Sequence, residues 1–124
     1  MKRKKIVIAD DEYFIRLLVK KLLGAKYIVF EAGDGEEAIN ITRMEQPDLV
    51  LMDIMMPKLD GYAACGQIKR DEVTREIPVI MLTGAGQELI KKLALQIGAD
   101  AYMTKPIDPE RLWGEVKTLL GIAA

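Results

Sequence analysis

The segment LVLMDIMMPKLDG, Leu49 to Gly61, carries one carboxylate, Asp53, near the centre of a run of large apolar residues. A buried, unpaired carboxylate costs several kcal/mol or takes up a proton. Asp53 therefore needs a partner, or a position where the chain leaves the core. Other apolar runs end in the same way: Asp10 and Asp11 follow KIVIA, Thr83 closes VIMLT, and Lys105 follows AYMT. Gathered in one place, three carboxylates and one ammonium sum to -2. Such acids repel one another, and their pKa values rise unless a cation joins them. One divalent ion brings the sum to zero. All-oxygen ligation suits a hard cation, and Mg²⁺ uses one or two carboxylates, keeps several waters and takes phosphate oxygens. An Asp held by such an ion and backed by a Lys is equipped to attack a phosphoryl group and become an acyl phosphate. Lys and the ion would neutralise the equatorial oxygens, and the Thr83 hydroxyl can donate to one of them.

Each residue also has a plainer role open to it. Asp10-Asp11-Glu12 can cap a helix and complement its dipole. Asp53 can be an ordinary strand end, Thr is common in strands, and Lys105-Pro106 can be a loop turn. The joint placement is what points to one reaction.

The elements that must position these residues follow from apolar periodicity. KIVIAD, YIVFEA, LVLMDIM, VIMLT and AYMT read as strands, the first as a run covered on both faces. Between them, Phe14, Ile15, Leu18, Val19 and Leu22 recur at helical spacing up to Gly24. Asp34 with Glu37 marks a second helix start, and Asp60-Gly61 a third. A fourth helix is expected over GQELIKKLALQIG, with Leu89, Leu93 and Ile97 on one face and Gly98 as its stop. Asp108 and Pro109 begin the last. Five β–α units predict an α/β fold in a single domain spanning residues 1–124: a doubly wound, flavodoxin-like (βα)5 parallel sheet of order 2-1-3-4-5. Ligands in such sheets sit beyond the carboxyl ends of the strands, where the chain direction reverses. The five polar tips would converge there.

Composition excludes several alternatives. The chain has 124 residues, half of them hydrophobic, and a formal net charge of -1, an ordinary soluble profile rather than a nucleic-acid-binding one. The basic run Lys2–Lys5 reads as a solvated flank. Without histidine there is no His-based acid/base catalysis, no His metal ligation and no Ser-His-Asp triad. Cys65 is the only cysteine, compatible with the cytoplasm and with a packing role on a helix. No apolar stretch approaches the ~20 residues of a bilayer span, and the start does not read as a signal peptide.

VIADDE, PDLVLMDIMMPKLDG, PVIMLTG and GADAYMTKPID, in this order and spacing, resemble the receiver domain of two-component response regulators over Lys5 to about Leu120. The resemblance implies a signalling module rather than an enzyme, catalysing only its own phosphorylation and dephosphorylation. It implies that Asp53 takes the phosphoryl group from a phosphohistidine on a sensor histidine kinase or a histidine phosphotransfer protein. Asp10 and Asp11 would organise Mg²⁺ (or Mn²⁺ as a substitute), with Asp11, Asp53 and the Met55 backbone carbonyl as direct ligands. Lys105 would pair with the phosphoryl group, Thr83 would turn toward it, and Tyr102 would rotate inward. Lys105-Pro106 would be cis.

The face of the fourth helix, fifth strand and last helix would then change toward an output partner. Glu88, Lys91, Lys92, Arg111, Glu115 and Lys117 there would stay solvated or pair across a weak, phosphorylation-dependent dimer of an otherwise monomeric protein. Gly84 after Thr83 would loosen the switch loop. Met55 and Ala85 cannot orient an attacking water by hydrogen bonding, so slow self-dephosphorylation is expected, and Trp113 should report poorly on the site. The chain would be a stand-alone regulator, a relay protein or the receiver of something larger. A dehalogenase-like phosphohydrolase would want a carboxylate where Met55 stands, and a flavodoxin-like cofactor binder would want a phosphate loop where ADDEYF stands.

Overall fold

Polar tips on apolar strands demand a sheet buried on both sides, and the computed structural model has one. It describes residues 3–84, 92, 93 and 95–121. In chain order the elements are β1 (Lys5–Ala9), α1 (Tyr13–Leu23), β2 (Ile28–Ala32), α2 (Gly35–Glu45), β3 (Leu49–Asp53), α3 (Gly61–Arg70), β4 (Val79–Thr83), β5 (Ala101–Thr104) and a C-terminal helix α4 (Pro109–Leu120). The strands form one parallel sheet in the order β2-β1-β3-β4-β5, as the pattern predicts. Of the helix expected over Gly86–Gly98, only residues 92, 93, 95 and 96 are described as helical; Ala85, Glu88, Leu89 and Lys91 lie outside the described residues.

Strand alternation sorts the core into two layers. Val7, Ala9, Val50, Met52, Val79 and Met81 face α2 and α3, where Ala38, Ala64, Cys65 and Ile68 pack against them. Ile6, Ile8, Leu49, Leu51, Ile80 and Leu82 face the other way, toward Val19 and Leu23 of α1 and Leu112 and Val116 of α4. Every residue of β3 and β4 is buried, which is why those strands read as continuous apolar runs.

The helix starts follow the expected caps. Asp34 accepts from Glu37 N–H at 2.8 Å while the Glu37 carboxylate accepts from Gly33 N–H at 2.9 Å. Asp60 accepts from Ala63 N–H, and Asp108 from Glu110 N–H. Gly61 is fixed by close approach: a Cβ there would lie 1.8 Å from the Asp53 carbonyl oxygen. The loop after β3 is thus folded tightly against the strand end that carries Asp53.

Two expectations are corrected. The N-terminal basic run is not simply solvated. The Arg3 guanidinium donates to the carbonyls of Gly24, Lys26 and Tyr27, closing the turn between α1 and β2, and Lys5 pairs with Glu45 at 3.4 Å. A planar fork of donors satisfies the carbonyls of the turn that follows α1. β1 also ends one residue early, at Ala9, although Asp10 N–H still donates to the Ala32 carbonyl at 3.0 Å. No helix among the described residues is long and apolar enough to cross a membrane.

Candidate functional site

At the carboxyl edge of the sheet, β1 and β3 diverge toward opposite neighbours, and the chain places its acids there. Asp10 follows β1 and is fully buried; Asp53 closes β3 and is 4% exposed; Thr83 closes β4 and is 2% exposed. Lys105 follows β5, and its N–H donates to the Thr83 carbonyl at 2.8 Å. The Lys105-Pro106 peptide bond is cis. The Lys105 ammonium joins three of the elements: it lies 2.9 Å from Asp10 Oδ2, 3.3 Å from Glu12 Oε1 and 3.4 Å from Asp53 Oδ2. Asp11, Glu12, Asp53, Met55, Gly84 and Lys105 line the resulting cleft.

The electrostatics follow from burial. Desolvation, then the nearby Asp10 carboxylate, pushes the Asp53 carboxyl up to about 6, against the opposing pull of Lys105 and the Met55 N–H. Burial alone would lower Lys105, but the carboxylates of Asp10, Asp53 and Glu12 outweigh it and hold the ammonium above its ordinary value. One Lys cannot balance four carboxylates. Asp10 Oδ1 accepts from Glu12 N–H at 2.9 Å. Asp10 Oδ2, fully enclosed, has the Lys105 ammonium at 2.9 Å as its one partner among the described residues. Asp10, Asp11 and Glu12 each offer an oxygen within 4.8 Å of the others. Carboxylates that outnumber the one ammonium, with hard oxygen donors this close together, fit a divalent cation such as Mg²⁺.

Of the five residues expected to converge, Asp10, Asp53 and Lys105 meet directly, Asp11 lines the same cleft, and Thr83 joins Lys105 through its backbone while its hydroxyl turns to Met103. Asp11 is exposed on the rim, and Glu12 completes the oxygen cluster that was expected from Asp53. The capping role left open for the acidic run is not what Glu12 does. It is the N-cap residue of α1, yet its side chain caps nothing and instead pairs with Lys105. Met55 contributes its N–H, which donates to Asp53 Oδ1 at a long 3.4 Å, and its side chain is exposed. Thr83 Oγ1 donates to the Met103 carbonyl at 3.5 Å, the outer limit of a hydrogen bond. Tyr102 is half-buried, pairs with Met81 across the β4–β5 register and packs on the core layer under α2 and α3. Trp113 lies against Tyr27, which precedes β2 at the other edge of the sheet, with Lys117 over its ring.

One contributor was not found by sequence reasoning. Arg16 Nη1 donates to the Asp10 carbonyl at 2.8 Å, and its Nε pairs with Glu31 at 3.0 Å. The signal was Glu31, a charge inside an apolar strand, the same anomaly that marks Asp53.

Comparison with known proteins agrees with this geometry. The model of the response regulator receiver domain family matches residues 6–117. The alkaline phosphatase synthesis transcriptional regulatory protein PhoP of Bacillus subtilis is 41% identical over 97% of this chain and 49% of its own length. The DNA-binding dual master transcriptional regulator RpaA of Synechocystis is 43% identical over 94% of this chain and 48% of its own. The chain thus spans about half the length of these curated relatives. The receiver domain of sensor histidine kinase PA1611 from Pseudomonas aeruginosa, solved with a magnesium ion coordinated in its active-site cleft, superposes with a TM-score of 0.89 at 27% identity, covering 97% of this chain and 99% of that one. A family match over most of the chain and relatives of about 40% identity along nearly its whole length leave one conclusion: the chain belongs to the response regulator receiver domain family.

Proposed function

We propose that Asp53 accepts a phosphoryl group from a phosphohistidine on a sensor histidine kinase or a histidine phosphotransfer protein. The observation that carries this reading is the Lys105 ammonium, held between Asp53 and the buried Asp10 at the floor of an acidic cleft. Asp10, Asp11 and Asp53, with the Met55 carbonyl, would hold Mg²⁺ or, as a substitute, Mn²⁺, and Glu12 is placed to assist. When bound, the ion supplies charge neutralisation for the acids and for the incoming phosphoryl oxygens.

The residues of the chain divide the remaining work. Burial and Asp10 draw the Asp53 carboxyl upward while Lys105 opposes them, and Asp53 acts as nucleophile in its ionised form. Its oxygen attacks phosphorus, the phosphorus–nitrogen bond to the donor imidazole breaks, and the electron pair leaves with the ring. Lys105 keeps its proton and follows the growing negative charge. The acyl phosphate replaces a charge of about -1 by about -2. Thr83 releases the Met103 carbonyl and donates to a phosphoryl oxygen, and Tyr102, beside Met103 on β5, turns inward. This is a population shift biased by local charge. Its readout is the face of β5, α4 and the segment before β5, where Arg111 reaches the Tyr102 carbonyl at 3.4 Å. The domain acts as a cytoplasmic switch rather than a turnover enzyme, as a monomer or a weak dimer when phosphorylated. The transcriptional regulators among its relatives favour a DNA-binding output when the domain is part of a longer chain.

The test is intact mass after incubation with acetyl phosphate. A single phosphoryl adduct that needs Mg²⁺ and is absent from Asp53→Asn is expected. An adduct that survives the substitution overturns the assignment of the nucleophile.

A further inference from the structure

The acidic rim must hold its shape while carrying excess negative charge, and the fold supplies a brace on the side away from Lys105. Asp10 stands just past the end of β1, where strand pairing no longer satisfies its carbonyl. Its N–H donates to the Ala32 carbonyl, its Oδ1 accepts from Glu12 N–H, and its own carbonyl accepts from Arg16 Nη1 at 2.8 Å. Arg16 is itself oriented: Nε donates to Glu31 Oε1 at 3.0 Å, and Lys20 holds the other Glu31 oxygen at 3.2 Å. The guanidinium is mostly enclosed, and Tyr13 lies under it at 5.7 Å. One rigid fork therefore spans β2, α1 and the backbone that presents Asp10 and Asp11.

We infer that Arg16 is a positioning residue for divalent-cation binding: the Glu31–Arg16–Asp10 carbonyl relay sets the geometry of the acid pair. The inference rests on the metal site proposed above. Charge and geometry make opposite demands here, which separates them. Arg16 places a positive charge beside a cation site, so on charge alone its removal tightens Mg²⁺ binding. If the fork positions the acids, its removal weakens binding, and losses on disturbing such outer partners run at about 10-fold or more. Lys retains the charge but cannot reproduce two donors in one plane.

The experiment is calorimetric titration of Mg²⁺ into the unphosphorylated protein, Arg16→Met and Arg16→Lys, with thermal unfolding in EDTA to establish that each variant is folded. Expected is a Kd raised about 10-fold or more in Arg16→Met and raised at least about threefold in Arg16→Lys. An unchanged or tighter Kd in folded Arg16→Met overturns the inference, as does full recovery of affinity by Lys. Where Arg16→Met does not fold, Arg16→Lys decides by the same criterion. Failure of the metal site itself is distinguishable, because the wild-type protein would then take up no Mg²⁺ at all.

Discussion

Replacing Asp53 by Asn should make the metal-free protein more stable at neutral pH. Asp53 is nearly inaccessible and shares its surroundings with Asp10, and together these push its carboxyl from 3.8 to about 6. The sign follows from linkage. A carboxyl whose folded pKa exceeds its unfolded value is easier to ionise in the unfolded chain, so ionisation favours unfolding. Stability is therefore greatest below the unfolded value, is lost as pH rises from about 4 to about 6, and is flat above. A shift of about two units corresponds to at most about 3 kcal/mol at pH 7. Asn removes that loss without changing shape. Its oxygen can still accept from Met55 N–H, and Lys105 keeps Asp10 and Glu12. For a chain of this size the gain in Tm is at most about 10 °C. Urea denaturation in EDTA at pH 7 and again below pH 4 measures it: a gain is expected at the higher pH and a vanishing one at the lower. A variant no more stable than wild type at pH 7, or equally stabilised at both pH values, refutes the electrostatic account. Saturating Mg²⁺ should narrow the difference, since it relieves the same repulsion in the wild type.

Lys105→Met should destabilise the metal-free protein by about 3 kcal/mol, because it strips the buried Asp10 carboxylate of its ion pair. A double-mutant cycle with Asp10→Asn checks this, and strict additivity would show that the pair is not coupled. Gly61→Ala should cost about 3 kcal/mol, since the added methyl collides with the Asp53 carbonyl. A urea midpoint equal to that of wild type would mean the loop gives way freely. The phosphorylated protein should persist for minutes or longer. The exposed Met55 side chain offers an attacking water no hydrogen bond, nor does Ala85, which lies outside the described residues. A lifetime of seconds, followed by intact mass, would contradict this.

The sheet order and the placement of Asp10, Asp53, Thr83 and Lys105 at one edge of the sheet were legible because each stands at or just past the end of a largely apolar strand. Alternation and register then leave little freedom in where it goes. The residues around the start of α1 were harder to read. In Asp10-Asp11-Glu12 a run of adjacent acids gives no indication of which carboxylate turns inward. Burial of Asp10, exposure of Asp11 and the reach of Glu12 to Lys105 depend on where the helix begins relative to a strand many residues away. Arg16 reads as one more base on a solvated helix face until β2 is set beside it and Glu31 supplies its partner. Arg3 was misread for a similar reason: the carbonyls it closes over belong to a turn whose position only tertiary packing defines.

The grip of the Thr83 hydroxyl on the Met103 carbonyl bears on noise as well as on signal. A contact stretched to 3.5 Å surrenders little when broken, so this hydrogen bond adds little to what packing does in holding the hydroxyl. Under the proposed switch, such a hydroxyl would turn at small cost, and a weak or brief stimulus would suffice to move it. The same ease would let some unphosphorylated molecules hold Thr83 turned toward the site, so that quiet between signals would depend on other members of the pathway.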